Sequence, residues 1–409
     1  MLVLVYAFNF IDRQIISILA VPIKADLGLS DTQLGVMSGL AFALFYTTLG
    51  IPIAWLADRR SRVWILSVAL TAWSAMTALC GIATSFWQLF FARLGVGVGE
   101  AGGVAPSHSL ICDYFPPRER GRALALYAFG VPIGSALGIV FGGVIATRVD
   151  WRYAFFVVGI AGVLLAPLLR LTVREPARGR FDQGIPATPL PFGQALRELR
   201  KKPSFWWMAL GASSASIMGY GVFFWLPSFL VRSFGLSLLD ASFFYGGVLL
   251  IGGLAGIWGG GAIADRLGAV RRSAYVQVPA VAFFCAGPLY ALAVLSTHPV
   301  LTFFLLLPPM ALGLAWLGPV MSAVQQVVRP GMRASASAVF LFLINLIGLG
   351  GGTTVLGVMS DVLTARFGDE ALRYAIISGA AFYLIACGLF MLAARFIETD
   401  WEHVESQNS

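Results

Sequence analysis

The chain is poor in charge, histidine and cysteine, and each shortage removes a class of protein. Only 12% of its 409 residues are Asp, Glu, Lys or Arg, while 58% are hydrophobic. A water-soluble domain needs roughly twice that charged fraction to cover its surface, so folding in water is the poorer hypothesis from the outset. The three histidines, His108, His298 and His403, are far apart and give no metal-ligand cluster. They also leave no nucleophile and base gathered at one depth, which argues against an intramembrane acyltransferase or hydrolase. The four cysteines, Cys80, Cys112, Cys285 and Cys387, lie in or beside apolar runs without ligand spacing and read as small packing residues. No glycine-rich stretch carries the Lys-Ser/Thr of a phosphate-binding loop, so ATP is not the expected energy source and no cofactor is expected. The net charge of +8 is divided among loops and forms no groove with aromatic platforms, which excludes nucleic acid as a partner.

What the sequence has instead is apolar length, with a mean hydropathy of +0.82. Runs cut by charge, Pro and Gly fall near 1–24, 33–56, 63–84, 86–111, 122–146, 152–171, 204–231, 240–263, 273–296, 299–328, 334–360 and 372–396. Each is close to the ~20 residues that cross the hydrocarbon. The expected fold is an all-α membrane protein with twelve transmembrane helices; the period-two alternation of a β-barrel is missing. The first run begins at Met1 without the basic start and cleavage site of a signal peptide, so it is read as a span, with a longer natural N-terminus left open.

Charge placement orients the spans. With the N-terminus cytoplasmic, twenty of the 28 Lys and Arg fall on the cytoplasmic side, six on the other, and two, Arg13 and Arg93, within spans. The positive-inside rule then puts both termini of an inner-membrane protein in the cytoplasm, and the excess positive charge serves topology and contact with anionic membrane lipids. Residues 172–203, rich in Arg, Pro and Gly, are the one long linker; they separate an N-terminal six-helix bundle, 1–171, from a C-terminal one, 204–396, before an acidic tail, 397–409.

The two bundles repeat each other. After span two comes Ala54-Trp55-Leu56-Ala57-Asp58-Arg59-Arg60-Ser61-Arg62, and after span eight Gly261-Ala262-Ile263-Ala264-Asp265-Arg266-Leu267-Gly268, followed by Arg271-Arg272. A second pair, Pro117-Arg118-Glu119-Arg120 and Pro330-Gly331-Met332-Arg333, keeps nearly the same offset. Carboxylates beside Arg in tight cytoplasmic turns can hold helix ends together by charge-assisted hydrogen bonds. Asp58, Arg59, Arg62, Arg120, Asp265, Arg266, Arg271 and Arg333, with Arg93 inside span four, are therefore the candidate gating residues.

These loops resemble the recurrent loop motif of the major facilitator superfamily, although Ala54 stands where the first copy usually has Gly. Arg93-Leu94-Gly95-Val96-Gly97-Val98-Gly99-Glu100 is similar to its fourth-span signature, and Gly130-Val131-Pro132-Ile133-Gly134, continued by Gly138 and Gly142-Gly143, to its fifth. The likeness covers essentially the whole chain. Within the superfamily, Asn9-Phe10-Ile11-Asp12-Arg13 together with Gly99-Glu100-Ala101 resembles the bacterial spinster-type lipid transporters; the first-span Asp-Arg is also similar to carriers of organic anions such as hexuronates and sugar phosphates. The resemblance implies two pseudo-symmetric six-helix bundles and a proton-linked alternating-access carrier, with lysophospholipid or sphingoid-phosphate cargo in the spinster case.

Independently of any family, Asp12, Arg13, Arg93 and Glu100 are ionisable groups within spans, where lipid penalises them and where such residues usually mark an ion or substrate route. Arg93 and Glu100 are two turns apart on one face, so Glu100 is expected to meet span one across the cavity. Glu100 is the expected principal proton acceptor and Asp12 a second carboxylate. Arg13 is expected to bind an anionic headgroup that competes with Glu100 for it. Small residues from Gly130 to Gly143 and in span eight permit close backbone approach. Phe129, Tyr220, Phe223 and Trp225 are candidates for an apolar wall around the cargo, and Tyr46, Ser213, Ser216, Gln325 and Asn345 for its polar contacts. One closed twelve-helix unit needs no partner to form a path, so a monomer is expected.

Overall fold

The computed structural model describes residues 1–57, 59–178, 181, 192–268, 270–329 and 332–401. Asp58, the Pro330-Gly331 pair, much of the linker and the tail beyond Trp401 lie outside the described residues. Every regular element among those residues is helical. They comprise α1 (Leu2–Leu27), α2 (Asp31–Ala57), α3 (Arg62–Cys80), α4 (Phe86–Glu100), α5 (Val104–Tyr114), α6 (Pro117–Ala128), α7 (Gly130–Arg148) and α8 (Trp151–Thr172). The short α9 (Phe192–Leu199) precedes α10 (Pro203–Phe234), α11 (Leu238–Gly268), α12 (Ala274–Leu295), α13 (Pro299–Leu314) and α14 (Leu317–Gln326). The last four are α15 (Arg333–Leu343), α16 (Gly350–Phe367), α17 (Ala371–Gly379) and α18 (Ala381–Asp400).

Helix ends follow local chemistry. Gly28, at φ 63°, ends α1 and donates its N–H to the Lys24 carbonyl. Ser30 and Gln33 then form a reciprocal capping box that starts α2. Ser85 caps α4 and Asp150 caps α8 with one-way bonds, each side chain accepting from a backbone N–H of the first turn.

Among the described residues, ten stretches are long and apolar enough to cross a bilayer. One of them, Ser335–Asp400, has 66 residues, enough for two crossings, and the turn Gly368–Glu370 interrupts it. Another crossing is made in two pieces, α4 and α5, separated by the turn at 101–103. The arrangement is consistent with twelve spans.

The helices group into two compact units that cut across individual helices. The first contains Met1–Gly184, Tyr220–Leu250 and Leu349–Ala375. Inside it, α1 lies against α7 along Gly130, Gly134 and Gly138. A Cβ on Gly138 would stand 2.7 Å from the Ile11 carbonyl oxygen, so only glycine allows this approach. Gly99 of α4 is equally tight against α3, where a Cβ would lie 2.6 Å from the Trp73 nitrogen. Around this crossing Phe42, Leu66, Leu70, Trp73 and Val96 form the buried core. The crossing of α2 with α16 uses Gly35, Gly39, Gly350 and Thr353, beside a π-helical turn at Met37–Ala41.

The second unit contains Ile185–Gly219, Ile251–Gly348 and Ile376–Ser409. Its α12 packs on α13 and α18, with Phe283 stacked between Tyr383 and Phe390. Gly252, Gly256 and Gly260 of α11 rest on Met310, Ala311 and Ala315. Asp400 ties the end of α18 to the start of α10, accepting from the Ser204 N–H at 2.8 Å.

Candidate functional site

The first unit gathers ionisable side chains of both signs at mid-span. Asn9 and Asp12, three residues apart on α1, are both buried, and Arg13 follows them. Glu100, the last residue of α4 before the break, is 0% exposed and accepts a 2.6 Å hydrogen bond from Arg13 Nε. The two carry opposite charge out of water, an arrangement that is stable only while both partners stay in place. Aromatic faces surround the cation: the Arg13 guanidinium lies 4.7 Å from the Tyr46 ring centroid, 5.0 Å from Phe42 and 5.4 Å from Phe10. Arg93 donates to the Asp12 backbone carbonyl at 3.4 Å and lies 5.8 Å from the centroid of the same Phe42 ring. The Asp12 carboxylate is 1% exposed and has no hydrogen-bond partner among the described residues.

A small cavity of about 50 Å³ opens beside this cluster, lined by Phe10, Arg13, Phe42, Arg93, Tyr220 and Phe223 among others. It has room for a few waters and for no amphiphile. Of the residues singled out in the sequence, Arg13, Arg93, Tyr220 and Phe223 line it, Tyr46 stacks on Arg13, and Asp12 and Glu100 stand behind. Trp225 belongs instead to the packing of α10 on α16: it is fully buried and its indole N–H donates to the Thr353 carbonyl at 2.8 Å. Phe129 is half-buried at the joint of α6 and α7. Ser213, Ser216, Gln325 and Asn345 belong to the second unit. There both serines pack against Gly348, Asn345 sits half-buried in the π-helical turn Ile344–Leu349, and Gln325 is exposed, its carbonyl accepting from Arg333 Nε.

At one end of the first unit Arg62 is buried and carries a dense set of bonds. It pairs with Asp113 and, at 2.7 Å, with Glu175, and donates to Ser109 Oγ at 2.9 Å and to the Pro176 carbonyl at 3.1 Å. Glu175 also accepts from Ser61 Oγ and the Val63 N–H. Burial alone would push the Glu175 carboxyl up; the bonds from Val63, Arg62 and Ser61 outweigh it and hold the group below its ordinary range. Arg178 donates to the Ala57 and Arg60 carbonyls at 2.7 Å each, so the segment after α8 straps the turn between α2 and α3. Arg59 is exposed and stacks on Trp55. Arg120 donates to the Cys112 carbonyl. Asp265, Arg266 and Arg271 are exposed in the second unit, Asp265 facing Tyr275.

The other end of α2 holds a cluster that the sequence did not single out. Asp31 is 1% exposed and takes four bonds of 2.7 Å, from Lys24 Nζ, both terminal nitrogens of Arg232, and Ser360 Oγ. Asp361 beside it accepts from the backbone N–H groups of Asp31 and Thr32. These bonds tie the start of α2 to α10 and α16 within the one unit.

A bundle of apolar helices with paired charges at mid-span and charged ties at both ends is the architecture of a secondary transporter. Residues 2–352 match the Major Facilitator Superfamily model, and the chain belongs to that family. It is 34% identical over 403 residues to an MFS-type efflux pump of Mycolicibacterium smegmatis, covering 98% of this chain and 92% of the relative. Protein spinster homolog 1 of Xenopus tropicalis is 29% identical over 422 residues, covering 97% of this chain and 80% of that protein. The solved structure of a bacterial homolog to the human lysosomal transporter spinster, inward-facing and unoccupied, superposes with a TM-score of 0.88 at 31% identity, covering 98% of this chain and 97% of that one. A D-xylose-proton symporter, at 16% identity and a TM-score of 0.66, shares the fold. The chain is thus a multi-pass, spinster-like transporter and not an enzyme.

Proposed function

We propose that this transporter couples protons to the movement of a lysophospholipid, a sphingoid phosphate or a related amphiphilic anion. The observation that carries the reading is the buried Arg13–Glu100 pair beside an aromatic-lined cavity. An anionic headgroup competes with Glu100 for Arg13. Once the cation is drawn away, Glu100 is a carboxylate in a poor dielectric and takes up a proton. Arg13 meets the headgroup, with Tyr46, Tyr220 and Phe223 beside it, and Asp12 serves as the second carboxylate. The halves 1–171 and 204–396 are the moving bodies. The tie of Asp31 to Arg232 and Ser360 on the outer side joins the two halves and is the contact that breaks in alternation, while Arg62 braces the cytoplasmic end of the N-terminal half. Charge placement supports both termini lying in the cytoplasm, and the likeness to a bacterial spinster homolog supports a bacterial inner membrane as the setting.

The test is reconstitution into liposomes under an imposed pH gradient, comparing a lysophospholipid with a sugar acid. The reading expects gradient-driven lysophospholipid flux that Glu100→Gln abolishes while the protein stays folded. Full gradient-driven flux in that variant would remove Glu100 from the coupling role, and preferred transport of the sugar acid would replace the substrate class.

A further inference from the structure

Asp12 is enclosed by donors that are not in use. On α3, Trp73, Thr77 and Cys80 recur at four- and three-residue spacing and so share one helix face. That face is turned to Asp12: Thr77 and Trp73 lie against its carboxyl, and Cys80 interacts with both Asp12 and Arg93. The contact is fixed from behind, since Gly99 brings the α4 backbone onto Trp73 one residue before Glu100. Trp73, Thr77 and Asp12 are all buried to within 1%. Yet the indole Nε1, the Thr77 hydroxyl, Arg93 Nε and both Asp12 carboxylate oxygens complete no hydrogen bond among the described residues.

An ionised carboxylate is purely an acceptor, whereas a protonated one has a donor of its own and fewer lone pairs to satisfy. A buried carboxylate without donors is costly, and donors beside it favour the ionised form. The Trp73 indole can only donate, so here it has one use for its N–H. We propose that Trp73 and Thr77 are positioning residues for Asp12: together they form a two-donor cradle that receives its carboxylate when it gives up a proton. The cradle rests on the proton-coupled reading given above. The charged and titratable groups facing Asp12 are Glu100 and Arg93 from α4 and Cys80 from α3. Arg13, next to it on α1, is engaged by Glu100. When Asp12 ionises, a small rotation toward α3 closes the two bonds without moving a helix, and when it is protonated the bonds open again.

The experiment follows the protonation of Asp12 directly. The full chain in lipid nanodiscs is titrated by infrared spectroscopy, with the carboxylic acid band of Asp12 identified by its loss in Asp12→Asn. Each lost donor should move the Asp12 midpoint upward by about one pH unit, the size expected for a hydrogen bond to a charged group. Thr77→Val and Trp73→Phe should show that shift, while Thr77→Ser keeps the wild-type midpoint. Unmoved midpoints in Thr77→Val and Trp73→Phe would overturn the cradle, as would a Thr77→Ser shift equal to that of Thr77→Val, which would reduce the threonine to packing. Should either variant fail to fold, the nitrogen NMR shift of the Trp73 indole in wild-type protein supplies the test: it should follow the Asp12 titration, and a pH-independent signal would overturn the proposal. Gradient-driven flux measured on the same preparations separates the two readings. If the midpoints shift as expected but wild-type flux ignores the gradient, the cradle stands and proton coupling falls.

Discussion

Replacing Asp31 by Asn removes the charge at the centre of the outer tie while leaving its size unchanged. Asp31 is buried and receives four bonds of 2.7 Å, two of them from one guanidinium. Loss of one member of a buried ion pair costs about 3–5 kcal/mol. Arg232 and Lys24 are 16% and 33% exposed, so water recovers part of that, leaving about 2–3 kcal/mol. In the alternation proposed above, opening the outer end breaks the bonds from Arg232 and Ser360 and spares that from Lys24 on the same half, so this sum, carried chiefly by the two bonds from Arg232, is lost from the closed state alone. The equilibrium between closed and open outer ends should therefore move roughly 30- to 160-fold toward open. Spin labels at Val149 and Ser237, exposed in loops of the first unit, would report it by double electron–electron resonance as growth of a longer distance. An unchanged distance distribution in a folded Asp31→Asn protein would refute the assignment of this cluster as a tie.

Three further outcomes are expected. Arg62→Ala strands Asp113 and Glu175 and should lower unfolding stability by about 3–5 kcal/mol, read by thermal unfolding in detergent; a loss below 1 kcal/mol would mean the network is ornamental. The Glu175 carboxyl is held below its ordinary range in the folded protein, so its stabilisation of the strap is complete above the unfolded glutamate range near 4.5 and disappears as pH falls through the lower folded value. Hydrogen exchange at residues 59–64 should accelerate in that acid window in the wild type and at every pH in Glu175→Gln. Gly138→Val pushes α7 off Ile11 at a cost of roughly 1–3 kcal/mol. It should depress transport through displacement of the neighbouring Asp12 and Arg13, whereas Gly259→Ala, with open space at its Cβ position, should leave flux unchanged.

The features legible in the sequence were those written in neighbouring residues. Apolar run length gave the spans, and the helical phase of Arg93 and Glu100 pointed Glu100 toward α1, where Arg13 meets it. The break at 101–103 was masked because Gly102 and Gly103 lie in a run apolar enough to read as one span. Ties between distant segments left no such trace. Asp31 meets Ser360 across 329 residues and Arg232 across 201, and a single acidic residue beside a loop looks like ordinary surface charge. Glu175 was hidden in the same way, since a linker rich in Arg and Pro gives no sign that one of its carboxylates reaches back 113 residues to Arg62. Trp225 shows the converse error: an aromatic suited to a cargo wall is held in packing by its own indole N–H, and side-chain direction on a wholly apolar helix is not set by periodicity.

The central claim is that an anionic headgroup competes with Glu100 for Arg13 and thereby lets Glu100 take up a proton, and proton counting tests it without transport. Lysophospholipid is titrated into purified, weakly buffered protein while a pH indicator records protons taken up. The competition predicts proton uptake that saturates with binding, and binding without uptake in Glu100→Gln. Binding with no proton uptake in the wild type, or equal uptake in the variant, would contradict it.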